Sequence, residues 1–566
     1  MALSLLVVVL GCGDGDRATP SAGNVGGSGG QQGVPAPIGE YVADERKPPA
    51  EDLNWARCPL LRGGESSEAE CAWADLPLDW EDAPGGDRIG IFVKRYRVVS
   101  RPRGQLWLIN GGPGASGADF EGLVRYFLDA NPDLVVYLPD HRGTGESARL
   151  TCSGERDLYG NPRSQEAAVD TCLAELATAV PAGLTGFSVS GAARDLGVLV
   201  DRTRRGAEPV FVYAVSYGTV LAQRYLELFP RQPSGLVLDS ICSPGECRFG
   251  QRYDDLFDET GFRFLELCRE DTDCRTALGG DPRGALRSLE SAIETGHCPG
   301  LSLTREGLRH LLAEMLRTVG VRELIPAAIV RGLRCSDDDV AALRRLVQWL
   351  LGPRMPDPWS SEPLGVNILV SEFMESPVPS DASVDAALAS RSFALDVGPP
   401  LVRLAGRWPR YASGPVGGVP PENNVPTLMM TGGLDPQTPA VVGQPTVGRF
   451  RGEHQTYVYV PTAAHAVLLQ SPLGHALSDE TCGAALIAQF LADPTGALDT
   501  RCVDLVAGID FDGEPDVVAA LFGTADAWLG GALGAQPAPG APLSRLPRAV
   551  ATIERRRAVV AGVLPP

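Results

Sequence analysis

One short passage constrains this chain more than any other. Phe211–Val215 is an apolar, β-prone run and Tyr217–Phe229 has the pattern of a helix, so Ser216 alone separates a buried strand from a helix. A strand that passes into a helix through one residue belongs to a layered fold, in which helices pack on the faces of a mostly parallel sheet. The same alternation recurs along the chain. Ile89–Val99, Gln105–Ile109, Leu134–Leu138 and Leu236–Asp239 read as further strands, and Val425–Thr431 and Gln455–Val460 resume the pattern much later. The stretch between them, roughly 245–415, has helical periodicity instead, as in Gly284–Ile293 and Val340–Leu351. An insertion of that length between two sheet strands reads as a helical lid domain.

A serine on so tight a turn is forced into a strained backbone, and small residues two before and two after it let strand and helix approach closely. Here those neighbours are Ala214 and Gly218. A free hydroxyl is a weak nucleophile. A neutral imidazole must take its proton, and a carboxylate must hold that imidazole. Asp435 follows the strand Val425–Met430 on the loop Thr431–Pro436, and His454, His465 and His475 come after it. His465 lies just past the strand ending at Val460, among small neighbours that leave its ring accessible. His454 precedes that strand, on the wrong side of the sheet edge, and His475 is the reserve candidate. Ser216, Asp435 and His465 are therefore the expected nucleophile, acid and base. The tetrahedral oxyanion needs two aimed N–H donors: the amide of Tyr217 is one, and the glycine loop at Gly111 and Gly112 supplies the other.

The ends of the chain are read differently. Leu3–Leu10 is an apolar run too short to span a membrane and resembles the core of a secretion signal. Val9–Cys12 resembles the bacterial lipobox, in which the cysteine carries the lipid anchor; an unmodified signal peptide is the alternative. Gly13–Pro37 has the polar, glycine-rich composition of a flexible tether. Thirteen cysteines become twelve once Cys12 is set aside, an even number suited to an oxidising compartment. Proximity pairs Cys58 with Cys71, Cys152 with Cys172, Cys242 with Cys247, Cys268 with Cys274, Cys298 with Cys335 and Cys482 with Cys502. Zinc is disfavoured because no Cys-x-x-Cys pair occurs and the six histidines are scattered. A formal charge of -20 argues against a nucleic-acid partner.

Together these segments resemble the prolyl and tripeptidyl aminopeptidase-like branch of the α/β-hydrolases, in its secreted bacterial form. The resemblance runs from about Trp55 to Cys502. It rests on Cys71–Trp80, Asn110–Gly117, Asp140–Ser147, Ser216–Tyr225, Thr431–Pro436, and the paired Cys482 and Cys502 with Phe490–Pro494 between them. It implies an α/β-hydrolase fold, a lid over the site, peptide hydrolysis from a free amino end through an acyl-enzyme, and no metal or cofactor. Acidic lid residues of such enzymes hold the substrate ammonium; Glu372 and Glu375 match that segment, although Ser371 stands where the family often has a cysteine. Asp140 and Arg142 are expected to brace the turn beside the glycine loop.

The expected organisation is a signal peptide at 1–12, a tether at 13–45, core at 46–244, lid at 245–415, core at 416–504, and an extension at 505–566, partly mobile around Gly530–Pro542. The leading function is an exported, lipid-anchored aminopeptidase acting on short peptides or proline, with a periplasmic or secreted form as the alternative location. An esterase or amidase on the same scaffold, taking a small ester or amide, is the second reading. A catalytically inactive surface binding lipoprotein is the third.

Overall fold

The protein is described from a computed structural model that covers residues 53–60, 69–81, 86–352, 357–412, 423–529 and 548–561, with side chains of the last helix at 551–557. The expected signal peptide, Cys12 and the expected tether lie outside the described residues, as does Gly530–Pro542.

Among the described residues nine strands form one sheet: β1 Ala56–Arg57, β2 Ala69–Pro77, β3 Arg88–Tyr96, β4 Gly104–Ile109, β5 Leu134–Pro139, β6 Val210–Val215, β7 Gly235–Asp239, β8 Thr427–Gly432 and β9 Gln455–Val460. Their spatial order is β1-β2-β3-β5-β4-β6-β7-β8-β9. The first three join antiparallel, and every pairing from β5 to β9 is parallel. β4, β6, β7 and β8 are buried along their whole length, which is why they read as unbroken apolar runs. β2 differs. Trp73 and Asp75 point to solvent between the buried Ala72, Ala74 and Leu76, an alternation suited to a sheet margin with one open face.

Chain order reverses across β4, whose neighbours β5 and β6 lie on opposite sides. Parallel sheets bind ligands at such a switch point, outside the carboxyl ends of the strands. Ile109 pairs with Ala214, so the loop after β4 and the turn after β6 emerge side by side.

Among the described residues nine α-helices, from Arg252–Glu270 to Gly398–Ala405, lie between β7 and β8, and the two expected helical stretches fall within Pro282–Glu294 and Asp337–Leu351. This insertion touches the glycine loop directly: the Ser361 amide donates to Gly114 O at 2.9 Å, and a Cβ at Gly114 would meet Ser361 O at 2.5 Å. All six cysteine pairs expected from proximity are bonded.

Residues 505–529 pack against the rest of the fold. Val517, Val518, Leu521 and Phe522 are buried, and Arg331 of the insertion donates to Ala527 O at 2.6 Å, Asp526 O at 2.9 Å and Leu529 O at 2.5 Å. The apolar face of Pro515–Leu521 needs a surface to cover it, and the insertion supplies one.

Candidate active site

Ser216 sits between β6 and the helix Tyr217–Leu228 at φ 56°, ψ −126°. For a residue with a Cβ that conformation costs roughly 1–3 kcal/mol and persists only where its surroundings over-determine it. They do so here. The Ser216 amide donates to Asp239 O at 3.0 Å, and Thr219 Oγ1 donates to Ser216 O at 2.6 Å. Gly218 has no room for a side chain, because a Cβ would lie 2.6 Å from Asn110 O and 2.7 Å from Ile109 O. Ala214 is fully buried in mid-sheet, so the elbow accommodates its methyl group.

Asp435 and His465 meet across the loops that follow β8 and β9. His465 Nδ1 lies 2.8 Å from Asp435 Oδ2 and 3.0 Å from Oδ1, with both side chains fully buried. Donation from Nδ1–H to the carboxylate leaves Nε2 as the bare acceptor of the neutral ring. Burial alone would raise the Asp435 carboxyl. The imidazole's charge and hydrogen bond, with the amides of Thr438 and Gln437, outweigh it and hold the group below the usual carboxylate range. His465 Nε2 is itself buried without a partner among the described residues. No hydrogen bond joins it to Ser216 Oγ in this structure, a looseness common before substrate closes such a site.

Several residues that sequence patterns did not single out hold this pair. Thr438 Oγ1 donates to Asp435 Oδ2 at 2.9 Å. Asp239, at the end of β7, accepts from the amides of Val467 at 2.7 Å and Leu468 at 2.9 Å, and Ser240 Oγ accepts from Ala466 at 2.8 Å. Three successive amides after His465 are thereby tied to one strand end, which aims the imidazole. A buried aspartate closing the apolar run Leu236–Leu238 was the available signal for Asp239.

The expected oxyanion donors share one cavity with the serine. It has about 330 Å³ of empty space and is lined by Gly112, Pro113, Ser216, Tyr217, Phe249, Tyr253, Phe373, Gln437, Thr438 and the Cys242–Cys247 disulfide. The Gly111 amide donates to Asn110 Oδ1 at 2.7 Å, so Gly112 is the loop glycine to consider. Tyr217 is held by its ring. Its hydroxyl donates to His141 Nε2 at 3.0 Å while His141 Nδ1 donates to Arg142 O at 2.7 Å, a tautomer that fits a ring whose burial pushes it down to about 4.

Glu372 and Glu375 have separate surroundings. Glu372 Oε1 accepts from Tyr411 Oη at 2.5 Å and from the Val189 amide at 3.0 Å, and burial raises its carboxyl above the ordinary range. Glu375 Oε1 accepts from the amides of Gln251 at 2.6 Å and Arg252 at 2.7 Å, which makes it the cap of the helix Arg252–Glu270. Asp140 and Arg142 brace the loops as expected: Asp140 accepts from Ser116, Gly117 and Glu146, and Arg142 forms a two-pronged pair with Asp195 at 2.6 and 2.7 Å. His475 is exposed, 3.6 Å from Glu514. Among the described residues no group of three or more His, Cys, Asp or Glu is placed to hold a metal ion.

An elbow serine after β6, a glycine loop beside it and an aspartate–histidine pair after β8 and β9 are arranged as the α/β-hydrolase fold arranges them, and residues 106–265 match the α/β hydrolase fold family. The chain has an α/β-hydrolase fold and is similar to tripeptidyl aminopeptidases. One from Streptomyces lividans is 29% identical over 196 residues, covering 31% of this chain and 36% of that protein. Serine protease Hip1 from Mycobacterium tuberculosis is 25% identical over 251 residues, 40% of this chain and 46% of that protein. The chain thus matches less than half the length of either relative. A solved α/β hydrolase from a deep-sea metagenome aligns over 73% of this chain and 97% of its own, at 14% identity and a TM-score of 0.32, a likeness that carries no argument.

Proposed function

We propose that this chain is an exported serine aminopeptidase that cleaves short peptides or proline from free N-termini through an acyl-enzyme. The observation that carries the reading is the buried Asp435–His465 pair, whose bare Nε2 lies at the strand edge that also bears the strained Ser216.

In the proposed reaction Ser216 Oγ attacks the carbonyl carbon of the scissile amide and gives its proton to His465 Nε2. The oxygen that becomes negative is met by the amides of Gly112 and Tyr217. His465 then protonates the leaving amine, the C–N bond breaks, and an ester to Ser216 remains. Water attacks that ester with His465 as base, which releases the acid and restores the serine. Asp435 orients the imidazole and stabilises its charged form. Substrate binding brings the Ser216 hydroxyl within reach of Nε2, and the helical insertion acts as the lid that keeps bulk water out.

Glu372 is the proposed ammonium ligand. Burial disfavours its charge, and a substrate ammonium beside it would offset that cost. Glu375, spent on a helix cap, is not assigned this role. Six disulfides support an oxidising compartment, and with it export. A lipid on Cys12 is part of the proposal, and mass spectrometry of the mature amino end tests it. The decisive assay compares chromogenic peptides with free and blocked amino ends beside simple esters. Preference for the free amine is expected; equal cleavage of blocked peptides, or of esters alone, rejects the aminopeptidase.

A further inference from the structure

Gln437 stands two residues after Asp435, and its amide donates to Asp435 Oδ1 at 2.8 Å, so its backbone is fixed by the acid itself. Its side chain is fixed from the other end, where Arg317 Nε donates to Gln437 Oε1 at 2.7 Å. A guanidinium has five donors and no acceptor, so only one of the two orientations of the Gln437 amide makes this bond. Nε2 must therefore point away from Arg317. There it is buried with no partner among the described residues, on a residue only 2% exposed that lines the cavity beside Ser216. Tyr253, 4% exposed on the same cavity wall, likewise has a buried hydroxyl without a partner.

A few unpaired polar tips in a mostly apolar lining are what fixes orientation and choice of ligand in a small pocket. The apolar part of the lining is Pro113, Phe249, Phe373 and the disulfide, with Phe249 stacked on the Tyr253 ring at 4.6 Å. Charge narrows the ligand further. Arg317 is paired with Glu314 at 2.8 Å, both nearly buried, so no uncompensated cation waits beside Gln437, and the Asp435 carboxylate is close. A carboxylate is unsuited to that position and a neutral oxygen suits it.

We infer that Gln437, with Tyr253, is a specificity-determining residue, selecting an acyl-side substrate residue with an aliphatic stem and an uncharged hydrogen-bond acceptor at its tip, such as glutamine. This rests on the serine hydrolase reading above and adds the substrate class to it. Methionine has nearly the same length and no comparable acceptor, and glutamate has the acceptor with a charge. Either leaves the buried Nε2 unpaired or sets one anion near another. Sites built to bond a polar substrate group reject the analogue that lacks it far more strongly than apolar pockets reject a missing methylene.

The test uses free-amine Ala-Ala-Gln, Ala-Ala-Met and Ala-Ala-Glu p-nitroanilides with the full chain, and compares kcat/KM between substrates within each preparation. Such ratios do not depend on the fraction of folded protein. The glutamine substrate is expected to exceed each of the others by at least about tenfold. In Gln437→Met, and more weakly in Tyr253→Phe, the glutamine-to-methionine ratio is expected to fall toward one. A ratio below tenfold in the unaltered protein, or one that survives both substitutions, overturns the inference. Labelling of Ser216 by a fluorophosphonate separates the two readings. No labelling fails the hydrolase itself; labelling without the glutamine preference, or without cleavage of any of the three, fails the specificity inference alone.

Discussion

At the scale of single residues, Ser216 is costly and Asp435 is cheap, and both facts bear on use. The serine holds a left-handed backbone that its Cβ disfavours, while the aspartate is ionised by design of its neighbours, with two amides, a hydroxyl and an imidazole around it. Replacing Ser216 by Ala should lower turnover by about a thousandfold or more, because the proposed nucleophile goes while the binding surfaces stay. Single-turnover kinetics with active protein counted by a binding assay will measure it, and near-normal turnover would reject the assignment. The depressed Asp435 carboxyl also has a stability consequence. An acid whose folded value lies below its unfolded one, about 3.9 for Asp, stabilises the fold above that value and loses the contribution as pH falls through the folded value. The stability gap between the parent and Asp435→Asn should therefore shrink on acidification below about pH 4. Urea midpoints taken from pH 2 to 6 would show it, and a gap that stays constant or widens would contradict the shift.

At the scale of elements, the elbow depends on how closely β6 and its helix approach the glycine loop. Gly218 faces two backbone carbonyls that cannot move away as a flexible side chain could. Gly218→Ala should cost on the order of 1–3 kcal/mol and displace the loop carrying Gly112. A denaturant midpoint unchanged within a few tenths of a kcal/mol would show that the loop yields freely. The histidine loop has the opposite character. It contains Ala466 at φ 65°, and besides its own hydrogen bonds it is held from outside by Asp239 and Ser240.

For the whole molecule, the C-terminal segment and the insertion are joined by a buried cation. Arg331 has no exposure, pairs with Asp339 at 3.3 Å, and donates to three carbonyls between Asp526 and Leu529. Arg331→Met should cost about 3–5 kcal/mol, since it takes the guanidinium from the carbonyls of Ala527 and Leu529 and removes one of the two cations paired with Asp339, leaving only Arg334. Thermal unfolding measures the loss, and protease nicking near residue 529 is its expected local sign. An unaltered melting temperature would mean that the segment is held by its apolar face alone.

What could be read without coordinates was whatever short-range pattern controls. The central strands were legible because burial on both faces demands unbroken apolar runs, and Ser216, Asp435 and His465 because each lies just past the end of a β-prone run. β2 was not legible as a strand from its own pattern: its buried residues include small alanines, and Trp73 is turned outward. The docking of residues 505–529 was equally hidden, since an amphipathic helix does not name the surface that will cover it. Glu375 looked like a ligand and became a cap because a helix starts at Arg252, more than a hundred residues earlier in the chain. Asp239, Thr438 and Gln437 acquire their roles only from partners on other elements. The order of the chemistry along the chain is thus a property of sequence. Its aim belongs to tertiary structure, because hydrogen bonds between strand-end loops are fixed by how the sheet is assembled and leave no periodicity behind.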